Sequence, residues 1–147
     1  MFNDIAVITL NILEKNYPDS GTYQLQIIVQ SGFSVSVGAL GIVNFQVGKY
    51  IYTGRASKHL NHRIIRHCKK EKPFRWHIDY LTSQPEVEIK SVNIISENPE
   101  KECEINKSIE MLPGSIIPLK GFGSSDCQSG CTSHLVMVES FPKILSS

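Results

Sequence analysis

The sequence lacks the long apolar run that a membrane helix requires. No stretch approaches the ~18 consecutive apolar residues of a membrane span, and the apolar segment at residues 5–13 is short. That segment has no basic residues before it and no obvious small-residue cleavage site after it, so it does not resemble a signal peptide. We therefore expect a cytoplasmic protein without a membrane partner.

Cysteine is scarce, with four in the chain, and its spacing is not that of a secreted disulfide scaffold. Cys127, Cys131 and His134 nevertheless have C-x₃-C-x₂-H spacing. They could supply three ligands of a tetrahedral zinc site, with Cys103 or Cys68 as the fourth. The alternative is that these are structural thiols beside a hydrogen-bonded histidine. Cys68 itself is expected in the core.

Positive and negative charges almost cancel over the whole chain, at a formal net charge of +1, but they are unevenly distributed along it. Residues 49–77 contain nine of the 15 Lys and Arg residues and only one of the 14 acidic residues, Glu71, which makes this segment +8 and the remainder −7. An anionic partner is the natural inference. The alternative is an exposed helix that Lys and Arg simply solvate.

Internal repeats and low-complexity linkers are also missing, which favours one domain over residues 1–147. Side chains alternate between apolar and polar in several segments, and residues 33–37 resume the alternation after the Ser31-Gly32 turn, as in a hairpin that follows directly. Strands are predicted at residues 22–30, 43–47, 50–54, 87–95 and 134–139. The expected fold class is α/β (α+β), a small mixed, mainly antiparallel sheet flanked by helices.

The period changes to about 3.6 between residues 57 and 70, where Leu60, Ile64 and Cys68 form an apolar stripe. Another side of the same helix carries a cationic row that could follow a phosphate backbone. Its members stand at i, i+4, i+7 and i+11, namely His59, Arg63, Arg66 and Lys70. A short helix is predicted at residues 76–81.

The helical period returns at residues 100–112, with an inward stripe of Ile105, Ile109 and Leu112. Glu102 falls on that stripe, whereas Glu104 lies roughly 200° around the helix and is expected to be solvated. A carboxylate directed inward needs a partner or a function.

Three features now occur in order: Gly21-Thr22-Tyr23 opening a strand, Tyr52-Thr53-Gly54 ending a later strand, and Arg63 on the helix that follows. This set resembles the GIY-YIG nuclease superfamily, and most closely its uncharacterised branch found alone or fused to endonuclease III. Residues 76–81 (WHIDYL), 102–103 (EC) and 121–127 (GFGSSDC) also fit that branch, so the resemblance spans about residues 21–139.

The resemblance implies a divalent-metal-dependent endonuclease that acts in DNA repair or processing. It makes Tyr23 and Tyr52 the motif tyrosines, Arg63 the helical arginine and Glu102 the ligand of one Mg²⁺ or Mn²⁺ ion. His77 is a further catalytic candidate. The candidate nucleic-acid contacts lie in the basic segment. Arg55 and His67 stand at positions that the resemblance matches, and His59, Arg66 and Lys70 come from the cationic row. The expected partners are DNA, with RNA left open, and a DNA-repair protein, and the oligomeric state is left open.

The chemistry of phosphodiester hydrolysis independently requires such groups: cations that neutralise the developing charge, and a base that deprotonates water. Free tyrosine titrates near ~10, but neighbouring guanidinium and metal charges are expected to lower the pKa of Tyr52 or Tyr23. Either phenol is a candidate base. Two other functions stay open, a nucleic-acid-binding module without turnover and a zinc-stabilised interaction domain.

Each residue also has a purely structural interpretation. The tyrosines could be core aromatics of strands, Arg63 a solvated helix residue, and Glu102 a stabiliser of its helix N-terminus worth roughly 0.3–1 kcal/mol. The two interpretations differ in whether the four side chains meet.

Overall fold

A computed structural model of the chain describes residues 18–124 and 130–142. The predictions for residues 5–13 and for Cys127 lie outside these ranges. Six strands and three α-helices are present in the described part, in the chain order β1 (Gly21–Val29), β2 (Phe33–Ser36), β3 (Ile42–Phe45), β4 (Gly48–Ala56), α1 (Leu60–Cys68), α2 (His77–Thr82), β5 (Val87–Ser96), α3 (Glu102–Glu110) and β6 (Leu135–Val138).

Four of the strands form one sheet in the order β5-β1-β4-β6, and every pair in it is antiparallel. The remaining two, β2 and β3, form a separate antiparallel pair. The predicted α+β class, a small and mainly antiparallel sheet flanked by helices, is confirmed.

The prediction that β2 pairs with β1 in a hairpin is wrong. β1 is already hydrogen-bonded on both edges, to β4 on one side and β5 on the other, so it has no free edge for β2. The segment after Ser31-Gly32 instead pairs with β3 through a 3₁₀ turn at Gly38–Leu40. The alternation was detected correctly, but the identity of the partner strand depends on contacts distant in sequence.

The sheet buries side chains on both faces. One face carries the large core, in which Leu25, Ile27 and Tyr50 of the sheet pack with the apolar stripe of α1. The predicted stripe is confirmed, since Leu60, Ile64 and Cys68 are all buried. On the opposite face a smaller cluster joins Ile51 and two β6 valines, Val136 and Val138, to Ile109 of α3. Helices α1 and α3 therefore lie on opposite faces of the sheet.

A buried carboxylate ties α1 to α2. Asp79 is fully buried and accepts two parallel hydrogen bonds from the Arg66 guanidinium, at 3.0 and 2.9 Å. It also accepts from the backbone N–H groups of Arg75 and Trp76. Burial alone would raise the pKa of Asp79, but these bonds outweigh it and lower the pKa, so the carboxylate is ionised at neutral pH.

A second cation, Lys72, lies against the same carboxylate, with its Nζ 4.0 Å from Oδ1 of Asp79. Its ammonium donates to the carbonyl oxygens of Arg66 and His67 at the end of α1, and to the hydroxyl of Thr82 in α2. A cation at a helix C-terminus satisfies carbonyl groups that have no partner within the helix. Burial lowers the pKa of Lys72 to about 8.

Within residues 18–124 and 130–142, no helix has the length and apolar character needed to cross a membrane.

We expect Asp79→Asn to lower the free energy of unfolding by about 3–5 kcal/mol, because it leaves the buried cations without their counter-charge. Urea denaturation followed by circular dichroism measures this loss. Glu104→Gln is the matched control, since the Glu104 side chain is 73% exposed and only pairs with Lys101 at the surface. Its effect should stay below about 1 kcal/mol. An Asp79→Asn protein as stable as wild type would contradict the role of the ion pair.

Candidate functional site

The register of β1 against β4 brings the two motif tyrosines together. Tyr23 lies opposite Gly54, and Leu25 lies opposite Tyr52, so the two tyrosines are diagonal neighbours on one face of the sheet. A Cβ atom at Gly54 would lie 2.6 Å from Cζ and Oη of Tyr23 and 3.0 Å from Cε2 of Tyr52. The glycine therefore creates the space in which the two rings meet.

The hydroxyl of Tyr23 is held by a histidine. It lies 2.6 Å from Nε2 of His67, and both side chains are buried. Burial, with the nearby charge of Lys72, lowers the pKa of His67 to about 3, so the imidazole is neutral at physiological pH. Burial, followed by the neighbouring Tyr52, raises the pKa of Tyr23 well above its ordinary value. Tyr23 is thus a neutral phenol locked to a neutral imidazole.

Tyr52 differs from Tyr23 in its surroundings. It is 8% exposed, and its hydroxyl makes no hydrogen bond to any of the described residues. Its ring packs edge-on to His67, with centroids 6.0 Å apart. Burial, followed by the charge of Glu102, raises the pKa of Tyr52, while Arg63 opposes the shift. The pKa of both phenols is therefore raised. The Arg63 guanidinium alone would lower it, but desolvation is the larger effect.

Arg63 is fixed by two contacts at the start of α1. Its guanidinium lies over the ring of Trp76, 4.7 Å from the centroid, and donates a 2.6 Å hydrogen bond to the carbonyl oxygen of Arg55. Arg66 stacks on the same indole at 4.5 Å. Arg63 and Arg55 line an open cleft of about 340 Å³, whose other lining residues are Ser57, Pro99 and Glu100.

Glu102 is the first residue of α3 and lies beside the end of β4. Its side chain is 15% exposed, with one carboxylate oxygen 3.8 Å from Nε of Arg55 and the other 3.6 Å from Nδ1 of His134. Burial raises the pKa of Glu102 although Arg55 and Arg63 oppose it. The predicted contrast with Glu104, whose side chain is solvated, is confirmed.

The four predicted residues interact with one another electrostatically. The charge of Glu102 raises the pKa of both tyrosines, the charge of Arg63 lowers both, and Arg63 also lowers the pKa of Glu102. Coulomb interactions of this kind decay over a few ångströms to about a nanometre. The four side chains therefore share one neighbourhood, although both tyrosines also belong to the hydrophobic core.

His77 opens α2 and supports a neighbouring loop. Its Nδ1 accepts a 2.9 Å hydrogen bond from the backbone N–H of Gly123, and its ring packs on Phe122. A Cβ at Gly123 would lie 3.2 Å from Cε1 of Tyr52 and 3.4 Å from the Cβ of His134. His77 therefore positions the loop that covers the Tyr52 ring.

The predicted cationic row does not form one exposed face. Arg66 is bonded to Asp79, the Lys70 ammonium donates to the carbonyl oxygens of Thr82, Gln84 and Val87, and His67 is buried against Tyr23. Helical periodicity gives the direction of a side chain but not the partner it meets, and here the partners are internal. Arg55 and His59 are exposed, and His59 begins α1 in a left-handed conformation as its N-cap.

Part of the predicted zinc set is assembled. Single ligand atoms of Cys103, Cys131 and His134 all lie within 4.8 Å of one another. Cys103, named as a candidate fourth ligand, is therefore at the cluster, whereas Cys127 lies outside the described residues. Cys68 is buried in the main core, where burial raises the pKa of its thiol to about 11.

Sequence reasoning missed three supporting residues. Asp79 and Lys72 form the buried charge cluster, and Asn106 of α3 is fully buried and donates a 2.7 Å hydrogen bond to the carbonyl oxygen of Ser133. Asn106 lies one helical turn after Glu102, so a polar residue repeated on the inward face was the signal that could have revealed it.

The burial of neutral His67 predicts a pH-dependent stability. Between pH ~6.5 and ~3 the unfolded chain binds a proton at this residue and the folded chain does not, so stability is lost as the pH falls through this window, by up to ~1.4 kcal/mol per pH unit. Urea unfolding from pH 7 to 5 should show this slope, and His67→Gln should reduce it. The exposed His62→Gln is the control. Equal slopes in wild type and His67→Gln would contradict the assignment.

Comparison with known proteins gives a family but no relative of known activity. The family model described as "Domain of unknown function DUF123" matches residues 22–147, most of the chain. No curated protein and no solved structure matches it. The protein is therefore a member of the DUF123 family of domains of unknown function.

Proposed function

We propose that this protein is a divalent-metal-dependent endonuclease that hydrolyses phosphodiester bonds in DNA, with a GIY-YIG-like site. The observation that carries the proposal is the proximity of four residues that are distant in the chain. Tyr23 and Tyr52 are diagonal neighbours in the sheet, while Arg63 and Glu102 both contact Arg55 at the end of β4. Arg63 is immobilised by its stacking on Trp76 and by its hydrogen bond to Arg55, and these two arginines line the cleft. An ordinary core tyrosine or surface arginine would not require this arrangement.

The cleft has the charge and the size for a phosphate. Arg55 and Arg63 line it, and a guanidinium offers paired N–H donors that match phosphate oxygens. A water needs only ~10–15 Å³ of cavity volume, so a cleft of about 340 Å³ has room for a phosphate group and several waters. The stacking of Arg63 on Trp76 fixes the guanidinium before the substrate arrives.

The donor at the proposed cation position is the Glu102 carboxylate. One carboxylate with water and phosphate oxygens is the usual protein contribution to a Mg²⁺ site, so the donor set fits Mg²⁺ or Mn²⁺. The carboxylate is partly desolvated, and its nearest cation, Arg55, is 3.8 Å away rather than in close contact. When bound, such an ion supplies positive charge to the phosphate oxygens and makes a bound water more acidic.

The surroundings of the two phenols suggest different roles for them. The Tyr23 hydroxyl is already bonded to His67, whereas the Tyr52 hydroxyl has no hydrogen bond to a described residue and is slightly exposed. We assign Tyr52 as the group that accepts the proton of the attacking water, and Tyr23 with His67 as the pair that positions it. In this role Tyr52 would first lose its own proton to solvent once the bound cation lowers its pKa, and the phenolate would then take a proton from water as that water attacks phosphorus in line. The P–O bond to the leaving oxygen breaks, the leaving oxygen takes a proton from solvent, and Arg63 neutralises the charge on the phosphate oxygens.

One observation favours a second candidate, a nucleic-acid-binding module without turnover. Burial raises the pKa of both tyrosines, which leaves no protein base poised near neutral pH among them. The exposed Arg55 and Lys58 would still hold a phosphate backbone in such a module. The two functions differ in whether the wild-type protein cleaves DNA.

We expect Glu102→Gln to lower the cleavage rate by roughly 10²–10³-fold while DNA affinity stays within a few-fold of wild type. The amide removes the anionic ligand but leaves the cationic cleft in place. The measurement is a cleavage screen over structured, lesion-containing and ordinary duplex DNAs with Mg²⁺ and Mn²⁺, paired with DNA binding at fixed salt. Glu104→Gln, on the same helix, is the control and should cleave like wild type. A wild-type protein that binds DNA but cleaves nothing with either metal would support the binding module.

The separate roles of the tyrosines predict separate losses. Tyr52→Phe should reduce cleavage by about 10²–10⁴-fold, as for a lost general base, with little change in stability. Tyr23→Phe should cost about 1–3 kcal/mol of unfolding free energy, because it leaves a buried imidazole nitrogen unpaired, and should reduce cleavage less. Single-turnover cleavage and urea denaturation of both variants test the assignment. If Tyr23→Phe is the more severely impaired in cleavage, the roles are reversed.

A further inference from the structure

A cluster of two thiols and one imidazole lies next to the proposed active site. Cys103 comes from the first turn of α3, while Cys131 and His134 come from the segment that enters β6. Their ligand atoms lie within 4.8 Å of one another. We propose that these three side chains bind a Zn²⁺ ion, in a site separate from the one that Glu102 supplies to Mg²⁺ or Mn²⁺.

The donor chemistry selects the metal. Thiolate sulfur and imidazole nitrogen are zinc ligands, whereas Mg²⁺ and Mn²⁺ prefer oxygen. Zn–S and Zn–N bonds of ~2.3 and ~2.0 Å in a tetrahedron place ligand atoms about 3.4–3.8 Å apart. The observed separations of up to 4.8 Å therefore close by roughly 1 Å on binding. Three protein ligands leave the fourth position to water or another donor.

The imidazole of His134 is oriented as a metal ligand. Its side chain is buried, its Nδ1 lies 3.6 Å from the Glu102 carboxylate, and its Nε2 is buried without a hydrogen-bond partner among the described residues. A buried nitrogen without a partner costs free energy, and a metal ion at Nε2 would supply the missing partner. Zinc-binding histidines commonly donate their other N–H to a carboxylate, which fixes the tautomer. Here Nδ1–H faces Glu102 and leaves the Nε2 lone pair for the ion.

The backbone around the three ligands is held by bonds to the sheet and to α3. His134 accepts from the N–H of Thr53 in β4 and donates to the carbonyl oxygen of Phe122. Its neighbour Ser133 accepts from the buried amide of Asn106 in α3. The site therefore joins the first turn of α3 to the segment before β6. Small side-chain movements would bring the three ligand atoms to bonding distance from one ion.

The test uses the full chain, purified without a polyhistidine tag from cells grown with added zinc. Mass spectrometry of its metal content should give about one zinc per chain, and Cys103→Ser and Cys131→Ser should each lower it at least fivefold. Cys68→Ala is the matched control, because that thiol is buried in the main core away from the cluster, and it should keep its zinc. Zinc retained in both serine variants, or stoichiometric copper or iron in wild type, would overturn the proposal.

A second measurement covers variants that fail to fold. Metal-free wild-type protein titrated with Co²⁺ should develop the strong visible bands of tetrahedral cobalt and a thiolate charge-transfer band near the ultraviolet, saturating at one ion per chain. Zn²⁺ added afterwards should remove both. A titration without these bands would refute the site. Neither readout depends on cleavage, so a protein that binds zinc and cleaves no DNA would sustain this inference and contradict only the proposed function.

Discussion

The buried carboxylate of Asp79 is the constraint on which the rest of the site depends. An ionised group without access to water is tolerated only when it is paired and hydrogen-bonded, and here Arg66, Lys72 and two backbone N–H groups satisfy that condition together. Because the partners come from α1, from the loop after it and from the residues just before α2, the pairing ties α1 to the start of α2. At that junction Trp76 lies under Arg63, and the His67 ring, which bonds the Tyr23 hydroxyl, packs against the same indole at 5.9 Å.

The elements were predictable because their periodicity is local. Alternation predicted β1 and β4, and the apolar stripe of α1 predicted the buried face of that helix, so each tyrosine could be placed on one face of its own strand. That the two tyrosines share a face of the sheet follows only from the register of β1 against β4. The partner of each polar group was not predictable in this way. Lys70 and Arg66 stand on the same helical row as Arg63, yet they bond to carbonyl and carboxylate groups ten or more residues away in the chain. Only the tertiary contacts decide which cations remain for a ligand.

The pKa values of the tyrosines were likewise not predictable from the sequence. Neighbouring positive charge lowers the pKa of a phenol, and that neighbour, Arg63, is present as expected. The burial of the two tyrosines could not be predicted from the residues around the motif. At these positions desolvation of the phenolate raises the pKa by more than Arg63 lowers it. A site built in this way holds its phenols neutral until further positive charge arrives. On the proposed function, that positive charge would arrive with the divalent cation, so the base would be activated only after the cation is bound.

His134 connects the two proposed metal positions. Its Nδ1 faces the Glu102 carboxylate, and its Nε2 has no partner among the described residues. Without a bound ion, the imidazole can carry its proton on either nitrogen, and the Nδ1 tautomer alone can donate toward Glu102. A zinc ion on Nε2 excludes the other tautomer, so the carboxylate always faces a donor. On the two proposals together, a zinc ion on His134 would keep a donor facing one oxygen of the Glu102 carboxylate, whose other oxygen lies 3.8 Å from Nε of Arg55.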